Sequence, residues 1–272
     1  MMAMGDSNYV HGYSISESQR LSDQANTLSQ LLHHDTVFRP AGLVLEAGCG
    51  TGAQTLIIAP QNPQCNFVSI DIDEDSLAKA EECIKKEKIQ NVRLQVADVF
   101  DLPFDSESFD HIVVCFLLEH LHEPREALVL LKGVLKKGGT ITVIEGDHGS
   151  AYYHPRSSVA QATIQCLINA QASMGRNSHI GRELYPLLIA AGFKDISVSP
   201  RIVYADASRP ELVDGFTRKT FIAMVEGVRE QAIKCGLITE AQWRKGIADL
   251  YHSADLDGTF CYTFFKAVGS KF

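Results

Sequence analysis

Three carboxylates stand where three short apolar runs end: Glu46 after "LVL", Asp71 after "FVSI" and Asp98 after "LQVA". Between the first two lies "AGCGTGA", in which Gly48, Gly50 and Gly52 alternate with other small residues. A glycine loop that follows a strand and opens a helix leaves backbone N–H groups free to face a ligand. Gly48, Gly50 and Ala53 satisfy the loose G-x-G-x-x-G/A pattern of dinucleotide sites, so the loop alone allows NAD. Glu46, two residues before the first glycine, brings negative charge close to the loop. That suits a ligand carrying an amino group or a positive charge better than one led by a pyrophosphate. Asp71 is placed to accept from two ribose hydroxyls, as an acid at the end of the second strand does in nucleotide-binding sheets.

The elements that must position these residues can be traced along the chain. Ser14 to Leu32 repeats apolar residues at helical spacing. After Pro40, strands are expected at Leu43–Glu46, Asn66–Ile70, Val92–Val96, Asp110–Cys115 and Thr140–Glu145. The intervening helices are expected at about Ala53–Ala59, Asp75–Lys88 and Pro124–Leu135, with Asp73 or Asp75 as a cap. Regular alternation of strand and helix implies a doubly wound, mostly parallel α/β sheet of seven strands, in which ligands bind beyond the carboxyl ends of the strands. The residues for attention are therefore Glu46–Gly52, Asp71, Asp98, Phe116–His120 and Glu145–His148. The second half predicts helices at Pro155–Met174 and Leu184–Ala191, strands at Ile196–Val203 and Thr259–Val268, and two helical patterns between those strands, at about Pro210–Cys235 and Thr239–Tyr251. The chain thus divides, within one domain of residues 1–272, into an N-terminal helical cap segment (1–40), a ligand-binding core (42–146) and a helical cap insertion (204–257).

Three acids at three successive strand ends suit a nucleoside that also carries an ammonium group. S-adenosylmethionine, with its ribose, adenine, α-amino group and sulfonium, is such a molecule. The segments "VLEAGCGTG", "SIDID", "VADVFDLPFDSESFD", "HLHEPREAL" and "VLKKGGTITVIE" resemble, in order and spacing, the class I S-adenosylmethionine-dependent methyltransferases. Within that class they are most similar to the small-molecule type 11 group that includes the quinone C-methyltransferases. The resemblance covers about residues 42–146 and implies a Rossmann-like sheet. It also implies that Gly48, Gly50 and Gly52 let the methionine part lie on the backbone, and that Glu46 orients its amino end. Asp71 would take the ribose, Ile72 would lie against the adenine, and Asp98 and the Val99 N–H would face its edge. Phe116 and Leu117 would lie beneath the cofactor. Lys137 stands where the family usually has proline, in a turn away from the site. The C-terminal half carries no motif of the family, so the acceptor does not follow from the resemblance.

The acceptor side is read from residue types. "EGDHGSAYYHP" follows the fifth strand and is expected to be a loop lining the pocket. His148 is the candidate general base, since an imidazole titrates near neutral pH, and His154 is its reserve. Tyr9, Tyr13 and Tyr152 are candidates for the acceptor wall, where aromatic faces would also attract a sulfonium. His120 and His122 in "EHLHEP" resemble a metal pair, but no third ligand accompanies them, and no metal is expected. His33 and His34 are read as a solvated helix end, and Trp243 as core.

Bulk properties narrow the partners. The net charge of −8 disfavours a nucleic-acid surface, and the longest apolar run, Ile112–Leu118, is too short for a bilayer. The opening "MMAMGDSNYV" lacks the pattern of a secretory signal. Seven scattered cysteines without a C-x-x-C suggest neither a disulfide framework nor a zinc site, and so a reduced cytoplasm. The expected function is methyl transfer to a small-molecule acceptor, with the oligomeric state open. A methyltransferase of protein or RNA, and a cofactor-binding regulatory protein without catalysis, are the alternatives.

Overall fold

The computed structural model describes residues 15–272 of the 272-residue chain. Tyr9 and Tyr13 lie outside the described residues. The strands are β1 (Leu43–Ala47), β2 (Asn66–Asp71), β3 (Val92–Val96), β4 (Phe109–Cys115), β5 (Leu135–His154), β6 (Lys194–Asp206) and β7 (Thr259–Ser270). They form one sheet in the order β3-β2-β1-β4-β5-β7-β6. The first five run parallel, and β7 is antiparallel to both of its neighbours. The expected seven-stranded, mostly parallel sheet is therefore present.

Alternate residues of each central strand point to opposite faces. On β4, Val113 packs with Leu28, Ile58, Phe67 and Ile144 on one side. Its neighbours Ile112 and Val114 pack with Leu45, Ile70, Leu128 and Val143 on the other. A strand buried on both faces has to read as an unbroken apolar run, which is why β4 does. The helices between the strands, α2 (Thr55–Gln61), α3 (Glu74–Lys86) and α4 (Pro124–Val134), start as their sequences direct. Asp73 caps α3 by accepting from the Ser76 N–H at 2.8 Å. Pro124 opens α4 at a position where no N–H is needed.

The largest departure from expectation is "EGDHGSAYYH". It is strand, not loop: β5 continues to His154 and pairs with β7 as far as His154–Thr259, across an irregularity between Asp147 and Tyr152. The alternation that marks it is weak, with Ala151 buried and Tyr152 exposed. Its partner lies more than a hundred residues away, so no local pattern announces the pairing. Helices α5 (Ser158–Ser173) and α6 (Leu184–Ala190) follow β5.

Between β6 and β7 the chain forms α7 (Pro210–Leu212), a π-helix (Val213–Ile222), α8 (Ala223–Glu226), α9 (Arg229–Lys234) and α10 (Glu240–His252). The expected helix over 210–235 is thus broken. The Thr220 hydroxyl donates to the Gly215 carbonyl at 2.8 Å, a bond that suits the wider five-residue spacing of the π turn. Helix α1 (Ile15–His33) packs along this π-helix, so the first described helix and the insertion form one layer over the sheet.

Candidate functional site

The half of the site expected to hold the donor is built by the ends of β1, β2 and β4. The N–H groups of Gly48 and Cys49 both donate to the Ile70 carbonyl, at 2.9 and 3.0 Å, which ties the glycine loop to β2. Gly48 has φ +75°, and a Cβ there would sit 2.8 Å from Leu117. Gly50 has φ +51°, and a Cβ there would enter open space. The first glycine therefore makes room for protein, and the second keeps the surface of the loop clear.

Asp71 braces that loop. Its Oδ2 accepts from the Gly50 N–H at 2.7 Å and its Oδ1 from the Asp73 N–H at 3.0 Å. Burial raises its pKa, partly offset by these amides. Ile72, beside it, is 64% exposed and available to a flat ring. Glu46 is buried beneath the loop, where its Oε2 accepts from Thr55 Oγ1 and Ser69 Oγ, each at 2.7 Å. Burial pushes its carboxyl upward too, the two hydroxyls oppose the shift, and the charge of Asp71 adds to it. Asp98 follows β3 and holds a tight turn, accepting from the Phe100 N–H at 2.9 Å, with Val99 buried next to it. Phe116, just past β4, has φ +56°, an uncommon conformation for an aromatic residue. The structure thus gathers Glu46, Gly48, Gly50, Gly52, Asp71, Ile72, Phe116 and Leu117 at neighbouring strand ends, with Asp98 and Val99 at the next strand out.

The half expected to face the acceptor looks different. Glu145, Asp147 and His148 all sit on β5 and are all buried. Glu145 Oε1 accepts from the Leu117 and Leu118 N–H groups at 3.0 and 2.7 Å. Asp147 binds Arg182 through two hydrogen bonds of 2.8 Å. The His148 side chain is 4% exposed, with Nδ1 2.7 Å from the Tyr262 hydroxyl. Its Nε2 lies 3.9 Å from Oε2 of Glu119, whose side chain is 14% exposed. The rings of Phe221 and Tyr262 lie 6.5 and 6.0 Å from the His148 ring, centroid to centroid.

His154 and Tyr152 do not join this group. Both lie farther along β5, on the segment paired with the start of β7, and both are exposed. The irregularity absorbs most of the residues between Asp147 and Tyr152, which pair with Thr263 and Cys261, two positions apart on β7, and the reserve base lies beyond it. His33 is not a solvated helix end either. It is 1% exposed and hydrogen-bonded to Thr36 and Gln54, whereas His34 is exposed as expected. Trp243 is core, at 2% exposure. His120 lies beside Glu119 and Arg176, and no cluster of three or more metal-ligating side chains occurs among the described residues.

Sequence reasoning assigned no role to Glu119, Glu145, Asp147, Arg182 or Tyr262. Glu119 and Glu145 do lie in the strand-end segments that topology marks for attention. Tyr262 has no such signal, since β7 meets β5 only through the fold.

Residues 39–192 match the family model described as "Methyltransferase domain". The chain belongs to this family, the S-adenosylmethionine-dependent methyltransferases. It is 33% identical over 150 residues to an uncharacterized methyltransferase of Schizosaccharomyces pombe, covering 52% of each chain. It is 31% identical over 112 residues to the demethylmenaquinone methyltransferase of Staphylococcus aureus, covering 41% of this chain and 46% of that one. The chain spans about half the length of these curated relatives. Its fold is similar to that of Haemonchus contortus phosphoethanolamine N-methyltransferase 2, with a TM-score of 0.61 and 14% identity over 98% of this chain and 59% of that one. The match extends past the motifs of residues 42–146 and takes in β5 and α6. No helix among the described residues is long and apolar enough to cross a membrane.

Proposed function

We propose that this chain methylates a small-molecule acceptor with S-adenosylmethionine as donor. The observation that carries the reading is the glycine loop: it is braced by Asp71 and pinned to β2, and Gly50 faces open space beside an exposed Ile72. The residues fit the donor. Asp71 would accept from the ribose hydroxyls, Ile72 would cover one face of the adenine, and Asp98 and Val99 would meet its edge. The backbone of Gly48, Gly50 and Gly52 would carry the methionine part, with Glu46 near its amino end and Phe116 and Leu117 beneath. Bound there, the donor supplies a methyl group on a sulfonium, open to in-line displacement.

The chain's own task is alignment and, for an oxygen or nitrogen acceptor, removal of a proton. Aligning the reacting groups is worth up to about 7–11 kcal/mol in favourable cases. The proton route runs through His148 and Glu119. In this route the Tyr262 hydroxyl, 2.7 Å from His148 Nδ1, donates its proton to that nitrogen. The neutral imidazole then carries its proton on Nε2, on the side of Glu119. The Glu119 carboxylate, the more exposed of the two, receives the acceptor's proton and becomes neutral, and the neutral His148 ring behind it positions the carboxylate through its Nε2 side. Two features favour a small acceptor over a macromolecule: the helical layer over the sheet and the acidic net charge of −8. The demethylmenaquinone methyltransferase among the relatives is in keeping with that class. All seven cysteines are free, which suits a reduced cytoplasm.

The test has two arms. Calorimetry should show S-adenosylhomocysteine binding more tightly than NAD. An acceptor screen with isotopically labelled donor, read by mass spectrometry, should yield a labelled small product. Tighter binding of NAD would refute the donor assignment. Label appearing only in protein or RNA would refute the acceptor class, and tight donor binding without any product would support the non-catalytic alternative.

A further inference from the structure

Glu145 is a carboxyl with 0% exposure that the methyl-transfer reading does not use. Its Oε1 accepts from two backbone amides, and its Oε2 is buried without a hydrogen-bond partner. A buried polar group left half-satisfied is costly, so its place in the fold calls for a reason.

The two amides belong to the turn after β4. That turn begins with Phe116 at φ +56°, a conformation that persists in a bulky residue only where its surroundings hold it. Strand β5 holds it at consecutive residues. The Ile144 carbonyl accepts from the Phe116 N–H at 2.9 Å, and the Glu145 carboxyl accepts from the next two amides. The consequence is the position of Leu117. Its side chain fills the space beside Gly48 so closely that a Cβ on residue 48 would lie 2.8 Å from it. Gly48 is in turn tied to β2 through Ile70. A continuous line of contacts therefore runs from β5, through Leu117, to the glycine loop.

We propose that Glu145 is a positioning residue of the donor site: by holding the Leu117 and Leu118 amides it seats Leu117 against Gly48 and so fixes the floor on which the methionine end of the donor rests. The inference rests on the donor-site reading above. Burial and the neighbouring charge of Glu119 hold the Glu145 carboxyl well above the usual carboxylate range. The uncharged acid is thus the form to mimic, and glutamine offers the same acceptor oxygen in nearly the same shape.

The experiment is calorimetric titration of the full chain with S-adenosylhomocysteine, alongside melting temperature and circular dichroism, for wild type, Glu145→Gln, Glu145→Ala and Leu117→Ala. Glu145→Gln should stay within about threefold of wild-type affinity. Glu145→Ala should bind at least about tenfold more weakly while keeping the wild-type dichroism, as loss of hydrogen bonds to an acidic side chain implies. Leu117→Ala should weaken binding about fivefold or more, since it empties the same contact. Wild-type affinity in a folded Glu145→Ala protein, or a loss in Glu145→Gln as large as in Glu145→Ala, would overturn the proposal. If Glu145→Ala does not fold, the other two variants decide: unchanged binding in Leu117→Ala, or about tenfold loss in Glu145→Gln, overturns it. Absence of binding in the wild type would sink the donor-site reading and this inference with it. Binding in the wild type that no variant changes would sink this inference alone.

Discussion

The two halves of the site are assembled by different means. The donor half is made of strand ends that follow one another in the chain, and its working parts are largely backbone: the open Gly50, the amides of the loop, one brace from Asp71. The acceptor half is made of side chains brought from distant segments: Glu119 after β4, His148 on β5, Arg182 before α6 and Tyr262 on β7. A donor that is the same in every turnover can be held by a fixed local motif. An acceptor that differs from one relative to the next needs a wall whose residues can change without disturbing that motif. The comparison predicts that variants of Glu119, His148, Arg182 and Tyr262 will change turnover and spare donor affinity, while variants of the donor half, and of Glu145 that supports it from β5, will do the reverse.

The largest effect is expected at the proton route. With an oxygen or nitrogen acceptor, Glu119→Gln should lower turnover by about 10²–10⁴-fold, the range for a lost general base, and His148→Ala, which removes the group behind that base, should approach it. Because the two act as one unit, the double variant should be little worse than either single one. S-adenosylhomocysteine affinity should stay within about threefold of wild type in all three. Multiplicative losses in the double variant would separate the two residues, and near-normal turnover in both singles would leave alignment alone as the source of rate.

In the donor half, Gly50→Val forces a β-branched residue into φ +51° and fills the open space over the loop. Donor affinity should fall about a hundredfold with the sheet intact, since strain of this kind costs about 1–3 kcal/mol before any steric block is added. Normal calorimetric binding would place the donor elsewhere. Asp71→Ala removes both the brace on Gly50 and the acceptor for the ribose. Hydrogen bonds to charged groups are worth about 1.5–3 kcal/mol, so affinity should fall at least about tenfold. An unchanged value would refute the ribose role.

The same contrast decides what could be read before the structure. The sheet, its central strands, the Asp73 cap and the grouping of Glu46, Asp71 and the glycines were all legible, because each depends on neighbours close in sequence. The continuation of β5 was not, since "EGDHGSAYYH" becomes strand only where β7 offers it an edge. Reading that segment as a loop left the pairing of Tyr152 and His154 with β7 unforeseen. Glu119 and Tyr262 escaped notice for the same reason: their chemistry exists only once β4, β5 and β7 lie side by side. His33 was misjudged from its position at a helix end, where exposure is usual, although it is buried and hydrogen-bonded to Thr36 and Gln54.

His33 offers a finer test of how the donor half is held, because it joins that half to the helical layer over the sheet. It ends α1, in the layer over the sheet, and its Nε2 lies 2.7 Å from Oε1 of Gln54, just ahead of α2 in the donor half. Its Nδ1 lies 3.2 Å from Thr36 Oγ1, an oxygen that already accepts from Lys266 Nζ at 2.7 Å. The bonds are all consistent in one arrangement: Nε2–H donates to Gln54, and the Thr36 hydroxyl donates to Nδ1. A second proton on the ring would force the bond to Thr36 to reverse and would face the charge of Lys266. Burial first, opposed by Gln54 and reinforced by Lys266, lowers the His33 pKa from 6.5 to about 4. The sign follows from linkage. Between pH 6.5 and about 4 the unfolded chain takes up a proton at this residue and the folded chain does not. Stability from the neutral ring is therefore full above pH 6.5 and drains away as the pH falls toward 4. Going from pH 7.5 to 5.5 should cost the wild type about 1 kcal/mol at this residue alone. His33→Gln, which cannot titrate, should lose correspondingly less over the same range, whatever its stability at pH 7.5. Urea unfolding of both proteins at the two pH values measures the difference. Parallel pH profiles would mean that His33 takes up its proton alike in the folded and unfolded chains, and that the tether described by these bonds does not hold the ring neutral.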